Sequence, residues 1–444
     1  MEVSYINQTD LYGRQQTFTP AMLATANNIP HLKRRPAMMI KGRWVYCNRC
    51  QARHLKQQVQ LADGRYYCPA CLLLGRICSD DYLMSLPEPN AFSHCEQPLT
   101  WKGQLTHDQQ AAAQQIKANF RKRQDHLLWA VTGAGKTEML FPGLAWALAQ
   151  GLRIGVASPR VDVCLELFPR FQAAFSQHTI MLLHGRQAEP YYYSQFVLCT
   201  THQLLRFYHA FDILVIDEVD AFPYAQDPQL AFATQQALKT DGARLFLTAT
   251  PSKQLLYQVR LGKLTLSYLP KRYHGYPLPQ PKVRLCFSWQ KQLLHNRLPP
   301  LLKQLLAVKL KQQQHFLLFV PRIALLPTIA KLLHQTFPEL KFATVHASDP
   351  ARLEKVEQMR QQRLDCLVTT TILERGVTFA GIDVIVLGSE DPVFSVAALV
   401  QMAGRVGRKA SHPTGQVDFI CAGVTRSLQQ ACRQIKKLNR KAGF

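Results

Sequence analysis

From about residue 99 onward, apolar positions fall in short runs that end in polar loops and alternate with stretches of helical periodicity. A helical pattern lies at 137–151, for example. Strands that alternate with helices predict a parallel sheet covered on both faces. The runs that predict buried strands are 126–131, 153–158, 196–201, 213–217 and 244–250, then 315–320, 341–346, 365–370, 384–388 and 416–422.

The same alternation of strands and helices appears twice, which predicts an α/β protein with two tandem lobes at 99–270 and 283–444. Between them, residues 271–282 hold three prolines and a glycine and predict a linker. Residues 1–98 differ, because they hold six of the twelve cysteines and show little apolar periodicity. They predict a small, loop-rich module that needs a stabilising cross-link to fold.

The chain of 444 residues carries 53 Lys and Arg against 29 Asp and Glu, a formal net charge of +24. The excess is largest in the C-terminal third, where residues 281–444 carry 24 basic and 10 acidic groups. So large an excess predicts a polyanionic partner, with nucleic acid ahead of anionic lipid headgroups. With only 18% charged residues, the composition argues against wholesale disorder.

No apolar run reaches the roughly 20 residues that span a bilayer, and the polar N-terminus lacks the apolar core of a signal peptide. We therefore expect a cytosolic protein whose membrane association would need a partner. In a reducing cytosol the cysteines are expected to stay free of disulfides.

A phosphate-binding loop is predicted at AVTGAGKT (130–137), which follows a predicted strand and opens a predicted helix. Its glycines let backbone N–H groups turn towards phosphate oxygens, and the helix N-terminus adds a favourable dipole. Lys136 would contact the β- and γ-phosphates of ATP, and the Thr137 hydroxyl would ligate Mg²⁺. The residues expected to contact the nucleotide are Thr132, Gly133, Ala134, Gly135, Lys136 and Thr137.

Two adjacent carboxylates end the predicted strand at 213–217. Asp217 would hold Mg²⁺ through its water shell, and Glu218 would polarise the attacking water. A solvated acidic turn is the alternative, but the apolar run before the pair buries the strand. It therefore fixes the carboxylates at the sheet edge where ligands bind in α/β folds.

Four cysteines in two C-x₂-C pairs predict a structural zinc site formed by Cys47, Cys50, Cys68 and Cys71. A four-thiolate site is closed and leaves no position for a substrate, so the module could grip DNA or dock a partner protein. The remaining candidates near it are Cys78 and Cys95, read first as buried small apolar residues and second as alternative ligands, and His54 and His94.

The motifs of the two predicted lobes together resemble those of superfamily-two helicases and translocases over residues 99–444. The resemblance implies two RecA-like, P-loop NTPase lobes, with Gln109 reading adenine, Arg405 and Arg408 reaching the γ-phosphate, and Gln401 near the attacking water. The matching segments, in family order, are LTHDQQ (105–110), AVTGAGKT (130–137), DEVD (217–220), TAT (248–250), TTTILERGVTF (369–379) and QMAGRVGR (401–408).

The same resemblance implies a groove for single-stranded nucleic acid, lined by hydroxyls, backbone N–H groups and arginines that suit sequence-independent phosphate contact. In the first lobe the implied contacts are Pro159, Arg160, Thr200, Thr201, His202 and Gln203. In the second lobe they are Pro321, Arg322 and Thr370.

Within that superfamily the chain resembles the ComFA family of late-competence ATPases. The resemblance implies translocation of transforming single-stranded DNA into the cytosol, with a membrane DNA-uptake channel and a second competence protein from the same operon as partners. It is carried by the four-cysteine module ahead of the motor and by GRQQ (13–16), DEVDAFPY (217–224), YHGYPLPQP (273–281) and TTTILERGVTF (369–379).

Two other functions remain open at this point. One is a DNA helicase in repair or replication restart, and the other is a non-catalytic adaptor in which ATP binding switches a scaffold. The intact Glu218, Arg405 and Arg408 argue against the adaptor. The basic tail at 426–444 predicts an amphipathic helix with Leu428 and Ile435 on its apolar face, packed on the second lobe rather than on a partner or a lipid surface.

Overall fold

The computed structural model describes residues 7–23, 29–185 and 189–444. The chain divides into two compact units. The first consists of residues 1–129 and 136–268, and the second of residues 130–135 and 269–444. Among the described residues, no helix is long and apolar enough to cross a membrane.

The N-terminal region of the first unit contains two small antiparallel sheets. One has the strand order β1-β6-β2 and the other β3-β4-β5, and a short helix, α1, follows β5. Short 3₁₀ helices lie at Gln8–Asp10, Pro20–Met22 and Pro69–Leu74. The elements are β1 (Gln16–Phe18), β2 (Lys33–Pro36), β3 (Met38–Lys41), β4 (Trp44–Cys47), β5 (Arg53–Leu55), α1 (Lys56–Val59) and β6 (Tyr82–Ser85).

A seven-stranded sheet with the order β13-β7-β12-β11-β8-β10-β9 forms the rest of the first unit. The six strands from β7 to β9 in this order pair in parallel, as the strand–helix alternation predicts. Its strands are β7 (His126–Ala130), β8 (Ile154–Ser158), β9 (Ile180–Leu183), β10 (Phe196–Thr200), β11 (Phe211–Ile216), β12 (Leu238–Thr248) and β13 (Thr265–Leu269). Its helices are α2 (His107–Arg121), α3 (Lys136–Ala149), α4 (Val161–Ala174), α5 (Pro228–Ala237) and α6 (Lys253–Arg260).

The second unit is built on a six-stranded, all-parallel sheet with the order β14-β19-β18-β15-β17-β16. Its strands are β14 (Lys282–Leu285), β15 (Phe316–Phe319), β16 (Phe342–Val345), β17 (Cys366–Thr369), β18 (Asp383–Leu387) and β19 (Val417–Cys421). Its helices are α7 (Trp289–Leu294), α8 (Pro300–Lys311), α9 (Leu326–Thr336), α10 (Arg352–Arg360), α11 (Val396–Ala403) and α12 (Arg426–Lys441).

The predicted fold class is confirmed, and the ten predicted strands all exist. In the two large sheets the further strands β9, β13 and β14 were not predicted, nor were β1 to β6 of the N-terminal region, and β12 begins six residues earlier than its apolar run. The amphipathic helix predicted for the tail is α12, which buries Leu428, Ile435 and Leu438 and leaves Cys432 partly exposed.

The N-terminal segment is held against the first parallel sheet by side chains as well as backbone. The Gln15 amide donates to the Leu205 carbonyl (2.9 Å) and to Gln236 Oε1 (2.6 Å). Gly13 has a φ of +61°, and a Cβ at this position would lie 2.8 Å from Ala210 Cα. Only glycine suits both this backbone conformation and this close approach. The GRQQ stretch therefore serves as an attachment of the N-terminal region.

Candidate nucleotide and metal sites

The predicted phosphate loop is a turn between β7 and α3, with the helix beginning at Lys136. Gly133 and Gly135 have φ values of +81° and +74°, in the left-handed region that only glycine adopts at low cost. A backbone of this kind can turn N–H groups towards a phosphate. The Ala134 N–H donates to the Val131 carbonyl within the turn (3.2 Å). The Thr137 side chain lies in the first turn of α3 and is 8% exposed.

Asp217 and Glu218 follow the last residue of β11, at the carboxyl edge of the first parallel sheet. Burial raises the pKa of Asp217 to about 6, with a further contribution from the charge of Glu218. Lys136 acts in the opposite direction, so the phosphate-loop lysine and this carboxylate lie within electrostatic reach. Asp217 is partly exposed at this edge, and a carboxylate within electrostatic reach of the phosphate-loop lysine is an oxygen donor that fits Mg²⁺.

Asp220 connects this loop to the TAT segment, a role that sequence reasoning missed. Its carboxylate accepts hydrogen bonds from the hydroxyls of Thr248 (2.7 Å) and Thr250. The Thr250 backbone N–H donates to Thr248 Oγ1 (2.9 Å). The carboxylate loop and the TAT segment are therefore bonded to each other.

Gln109 lies at the N-terminus of α2, where it forms a capping box with Thr106. Its Oε1 accepts a hydrogen bond from the Thr106 backbone N–H (2.9 Å), and its side chain is 6% exposed. The helix therefore fixes the position of the residue for which the superfamily resemblance implies adenine contact.

The residues of the sixth motif lie in the second unit, at the end of α11. Gln401 is 4% exposed within the helix, and Arg405 is 1% exposed. The Arg405 Nε donates to the Glu374 carbonyl (3.0 Å), which connects the sixth motif to the fifth. Arg408 is only partly buried and donates to Thr378 Oγ1 (3.3 Å).

Arg272 is the main site residue that the sequence did not indicate. It lies in the segment for which the sequence predicts a linker, yet it is 3% exposed. Its guanidinium donates to the carbonyls of Gly404 (3.1 Å), Val406 (2.8 Å) and Gly407 (2.7 Å). Burial lowers its pKa to about 9, and the charge of Arg408 contributes. Arg272 thus holds the turn that carries both predicted arginine fingers.

The predicted nucleic-acid contacts all lie at the end of, or directly after, strands of the two parallel sheets. Because β8 and β10 are neighbours, as are β15 and β17, each set lies at the carboxyl edge of its own sheet. Thr201 is fully buried, whereas Arg322 is exposed and pairs with Asp391 (3.4 Å). In the first unit the contacts are Pro159 and Arg160 after β8, and Thr200, Thr201, His202 and Gln203 around the end of β10; in the second they are Pro321, Arg322 and Thr370.

The four predicted zinc ligands converge in the N-terminal region. Their Sγ atoms all lie within 4.8 Å of one another, with Cys47–Cys71 and Cys50–Cys68 separations of 3.7 Å. Tetrahedral zinc with Zn–S bonds of about 2.3 Å places its sulfurs about 3.8 Å apart, so the donor set fits this ion. All four side chains are at most 1% exposed.

The other candidate residues near the cysteine cluster differ in their burial and contacts. The Arg49 Nε donates to Cys71 Sγ (3.3 Å), a contact that sequence reasoning missed, and His54 Nε2 lies 3.5 Å from Cys68 Sγ. Cys78 is buried, as expected for a small apolar residue. For Cys95 the same expectation is wrong, because its thiol is partly exposed and donates to Gln177 Oε1 (3.2 Å).

Known protein families match both parallel-sheet regions. The DEAD/DEAH box helicase family matches residues 106–257, and the helicase conserved C-terminal domain matches residues 298–410.

Proteins of known name match the chain at two levels of identity. Competence protein ComFA of Bacillus subtilis (strain 168) is 41% identical over 409 residues, which are 91% of this chain and 88% of that protein. Competence protein ComFA of Streptococcus pneumoniae (strain ATCC BAA-255 / R6) is also 41% identical, over 92% of this chain and 94% of that protein. Replication restart protein PriA of Rickettsia prowazekii (strain Madrid E) is 26% identical over 44% of this chain and 32% of that protein.

Solved structures share the fold at low sequence identity. Helicase Lhr of Mycobacterium smegmatis, bound to single-stranded DNA and AMP-PNP, has a TM-score of 0.57 at 18% identity, over 74% of this chain and 48% of that one. Dbp5 of S. cerevisiae, bound to RNA and ADP BeF3, has a TM-score of 0.55 at 13% identity, over 75% of this chain and 91% of that one.

Proposed function

The chain belongs to the ComFA family of competence proteins and is a superfamily-two helicase-like ATPase, and from this premise we propose that it is a translocase of single-stranded DNA. Its ATP hydrolysis would move transforming DNA into the cytosol. The observation that supports this most is the electrostatic interaction of Lys136, at the end of the glycine-rich phosphate loop, with Asp217, the first of the two carboxylates after β11.

Within this site we assign the chemistry as follows. Lys136 would bind the β- and γ-phosphates, while Thr137 and Asp217 would hold Mg²⁺, which would neutralise charge on the phosphates when bound. Glu218 orients the attacking water, and Gln401 assists it. Arg405 and Arg408 stabilise charge that develops on the γ-phosphate, a contribution typically worth about 10³–10⁵ in rate.

A steady-state ATPase assay with and without oligothymidylate tests the motor assignment. We expect single-stranded DNA to stimulate turnover strongly, and Lys136→Ala and Glu218→Gln each to abolish it. Lys263→Ala, at an exposed lysine of the first unit, is the control and should hydrolyse ATP at the wild-type rate. Normal turnover in either site variant would show that the assignment is wrong, and measurable wild-type turnover excludes the non-catalytic adaptor.

A second pair of assays separates movement from unwinding. Displacement of streptavidin from biotinylated oligonucleotides reports translocation, and strand separation on a fork reports helicase activity. We expect translocation without strand separation. Unwinding of the fork would instead favour a repair or restart helicase. In the source organism, deletion of the gene should abolish transformation, and unchanged DNA uptake would refute the competence role.

Family membership supports the remaining parts of this proposal. We assign structural zinc to Cys47, Cys50, Cys68 and Cys71, a closed four-thiolate site. We place the protein in the cytosol, recruited to the inner face of the membrane by an uptake channel and a second competence protein from the same operon. The residue boundaries at 98, 270 and 282 remain predictions.

A further inference from the structure

One stretch of the N-terminal region has charges of a single sign. Residues 11–62 contain nine Lys and Arg and no Asp or Glu. Arg14 and Arg49 are buried, and the other seven are at least partly exposed. Because most surfaces intersperse both signs, a surface stretch with cations only favours a polyanionic ligand. The exposed members of the set that flank the zinc-ligand pair are Lys41, Arg43 and Arg53.

The small sheet β3-β4-β5 displays aromatic rings beside these cations. Along β4 the side chains alternate, so Val45 and Cys47 are buried while Trp44 and Tyr46 lie on the opposite face and are only partly buried. Cross-strand neighbours on that outer face are Met39 and Arg53 beside Tyr46, and Lys41 beside Trp44. We call this outer surface the ribbon face, with the residues Met39, Lys41, Arg43, Trp44, Tyr46 and Arg53.

The arrangement of the cations on the ribbon face keeps them available. The Arg53 guanidinium carbon lies 4.2 Å from the centroid of the Trp44 ring, and that of Arg43 lies 5.4 Å from it. In the part of the chain that the structure describes, no carboxylate forms an ion pair with either arginine or with Lys41. Cations held beside an indole by cation–π contact offer positive charge and a stacking surface at one place.

We propose that the ribbon face binds single-stranded DNA, as a contact separate from the strand ends of the two parallel sheets. Aromatic rings stack on bases of any sequence, and nearby lysine and arginine side chains neutralise the phosphates between them. A duplex hides its base faces, so the combination favours a single strand. This contact adds a binding site for the single-stranded DNA that the proposed translocase moves. It rests on the proposed function only for the identity of that DNA strand.

Fluorescence anisotropy with labelled oligothymidylate, full-length protein and no nucleotide tests this binding. The double variant Trp44→Ala/Arg53→Ala should bind at least about tenfold more weakly, given that stacking contributes about 1–3 kcal/mol per base. Its slope of log affinity against log salt should fall by about 0.7, because one cation is lost. Trp44→Phe keeps a stacking ring and should retain most of the affinity.

Controls separate binding from damage to the fold. The double variant should keep the zinc content and the basal ATPase rate of the wild type, with a raised DNA concentration for half-maximal stimulation and an unchanged maximal rate. Lys311→Ala/Arg363→Ala is the matched control, since both residues are exposed and precede strands, at the edge of the second sheet opposite the strand ends. This control should bind DNA as the wild type does.

The outcomes distinguish this inference from the proposed function. Wild-type affinity and salt slope in Trp44→Ala/Arg53→Ala would overturn the inference even if the motor translocates. Lost affinity in a chain whose wild type translocates nothing would leave the inference standing and refute the proposed function. Loss of binding to phosphatidylglycerol vesicles with unchanged oligothymidylate binding would assign the ribbon face to lipid and overturn the inference.

Discussion

Each of the two parallel sheets has a buried cation at its amino edge that pairs with a carboxylate, but the carboxylate comes from a different part of the chain in each. In the first unit Arg153 is fully buried, pairs with Glu88 of the N-terminal region, and donates to the carbonyls of Tyr12 (3.0 Å) and Ser194 (3.1 Å). In the second unit Lys309 of α8 pairs with Asp383, the first residue of β18 in its own sheet.

This difference shows how the N-terminal region is integrated. Asn90 adds to the same junction, because its amide donates to Asp212 (3.0 Å), whose carboxylate also accepts from the Arg153 backbone N–H (2.9 Å). The amino edge of the first sheet is thus a docking surface for the N-terminal region, so the cysteine module and the first sheet form one compact unit. The buried pair of the second sheet only joins a helix to a strand.

The largest loss of stability should come from Arg153→Met, which leaves the Glu88 carboxylate buried without its cation. Breaking a buried pair typically costs about 3–5 kcal/mol, and the additional lost carbonyl bonds put this variant near the upper end. Hydrogen exchange followed by mass spectrometry should show faster exchange in 7–23 and 80–96 as well as in the first sheet. If the N-terminal peptides keep wild-type protection, the docking interpretation is wrong. Adding Glu88→Leu should restore part of the protection.

A smaller effect is expected from Lys309→Met, which removes the bonds to Asp383 and Gln416. We expect a loss near the lower end of the same range, about 3 kcal/mol, because fewer bonds are lost. Exchange should rise in the peptides of α8, β18 and β19 and stay unchanged in the N-terminal region. Increased exchange in residues 7–96 would contradict the separation between the two units.

The smallest expected loss of stability depends on pH and is confined to the first unit. His126 is fully buried, its ring nitrogens bond to the hydroxyls of Thr265 (2.6 Å) and Ser267 (3.0 Å), and burial lowers its pKa from 6.5 to about 4. The folded state disfavours the proton, so stability is full above pH 6.5 and is lost as the pH falls towards 4. The loss at pH 5 should be about 2 kcal/mol.

Urea unfolding at pH 7.5 and pH 5, followed by hydrogen exchange in the peptides that contain β7 and β13, measures this effect. His126→Gln should remove most of the pH dependence of the first unit, and peptides of the second sheet should exchange as in the wild type. An unchanged pH profile in this variant would show that another group titrates.

Local sequence patterns predicted the parts of the molecule that local chemistry determines. The zinc ligands follow from the spacing within two C-x₂-C pairs, and the central strands follow from continuous apolar runs. The missed strand β14 lies at a sheet edge, with Val283 39% and Leu285 52% exposed, so it has no continuous apolar run. Strand β13 is likewise an edge strand with only Leu269 buried.

The missed site residues have a different cause. Arg272 and Asp220 act through partners that are distant in sequence, the carbonyls at 404–407 and the hydroxyls of Thr248 and Thr250. A basic residue in a segment rich in proline and glycine is ordinarily solvated, so nothing in the local pattern indicated burial. Only the fold brings such partners together.

The three carbonyls that meet on Arg272 give the turn at 404–407 an all-or-none character. A planar guanidinium has a fixed fork of donors and cannot follow one acceptor while it keeps the other two. The three hydrogen bonds to the turn therefore form together or break together. The positions of Arg405 and Arg408, which the turn carries, change together as well. In Arg272→Lys, a single rotating ammonium group would replace the fixed donors, and the turn would be held in a less defined position.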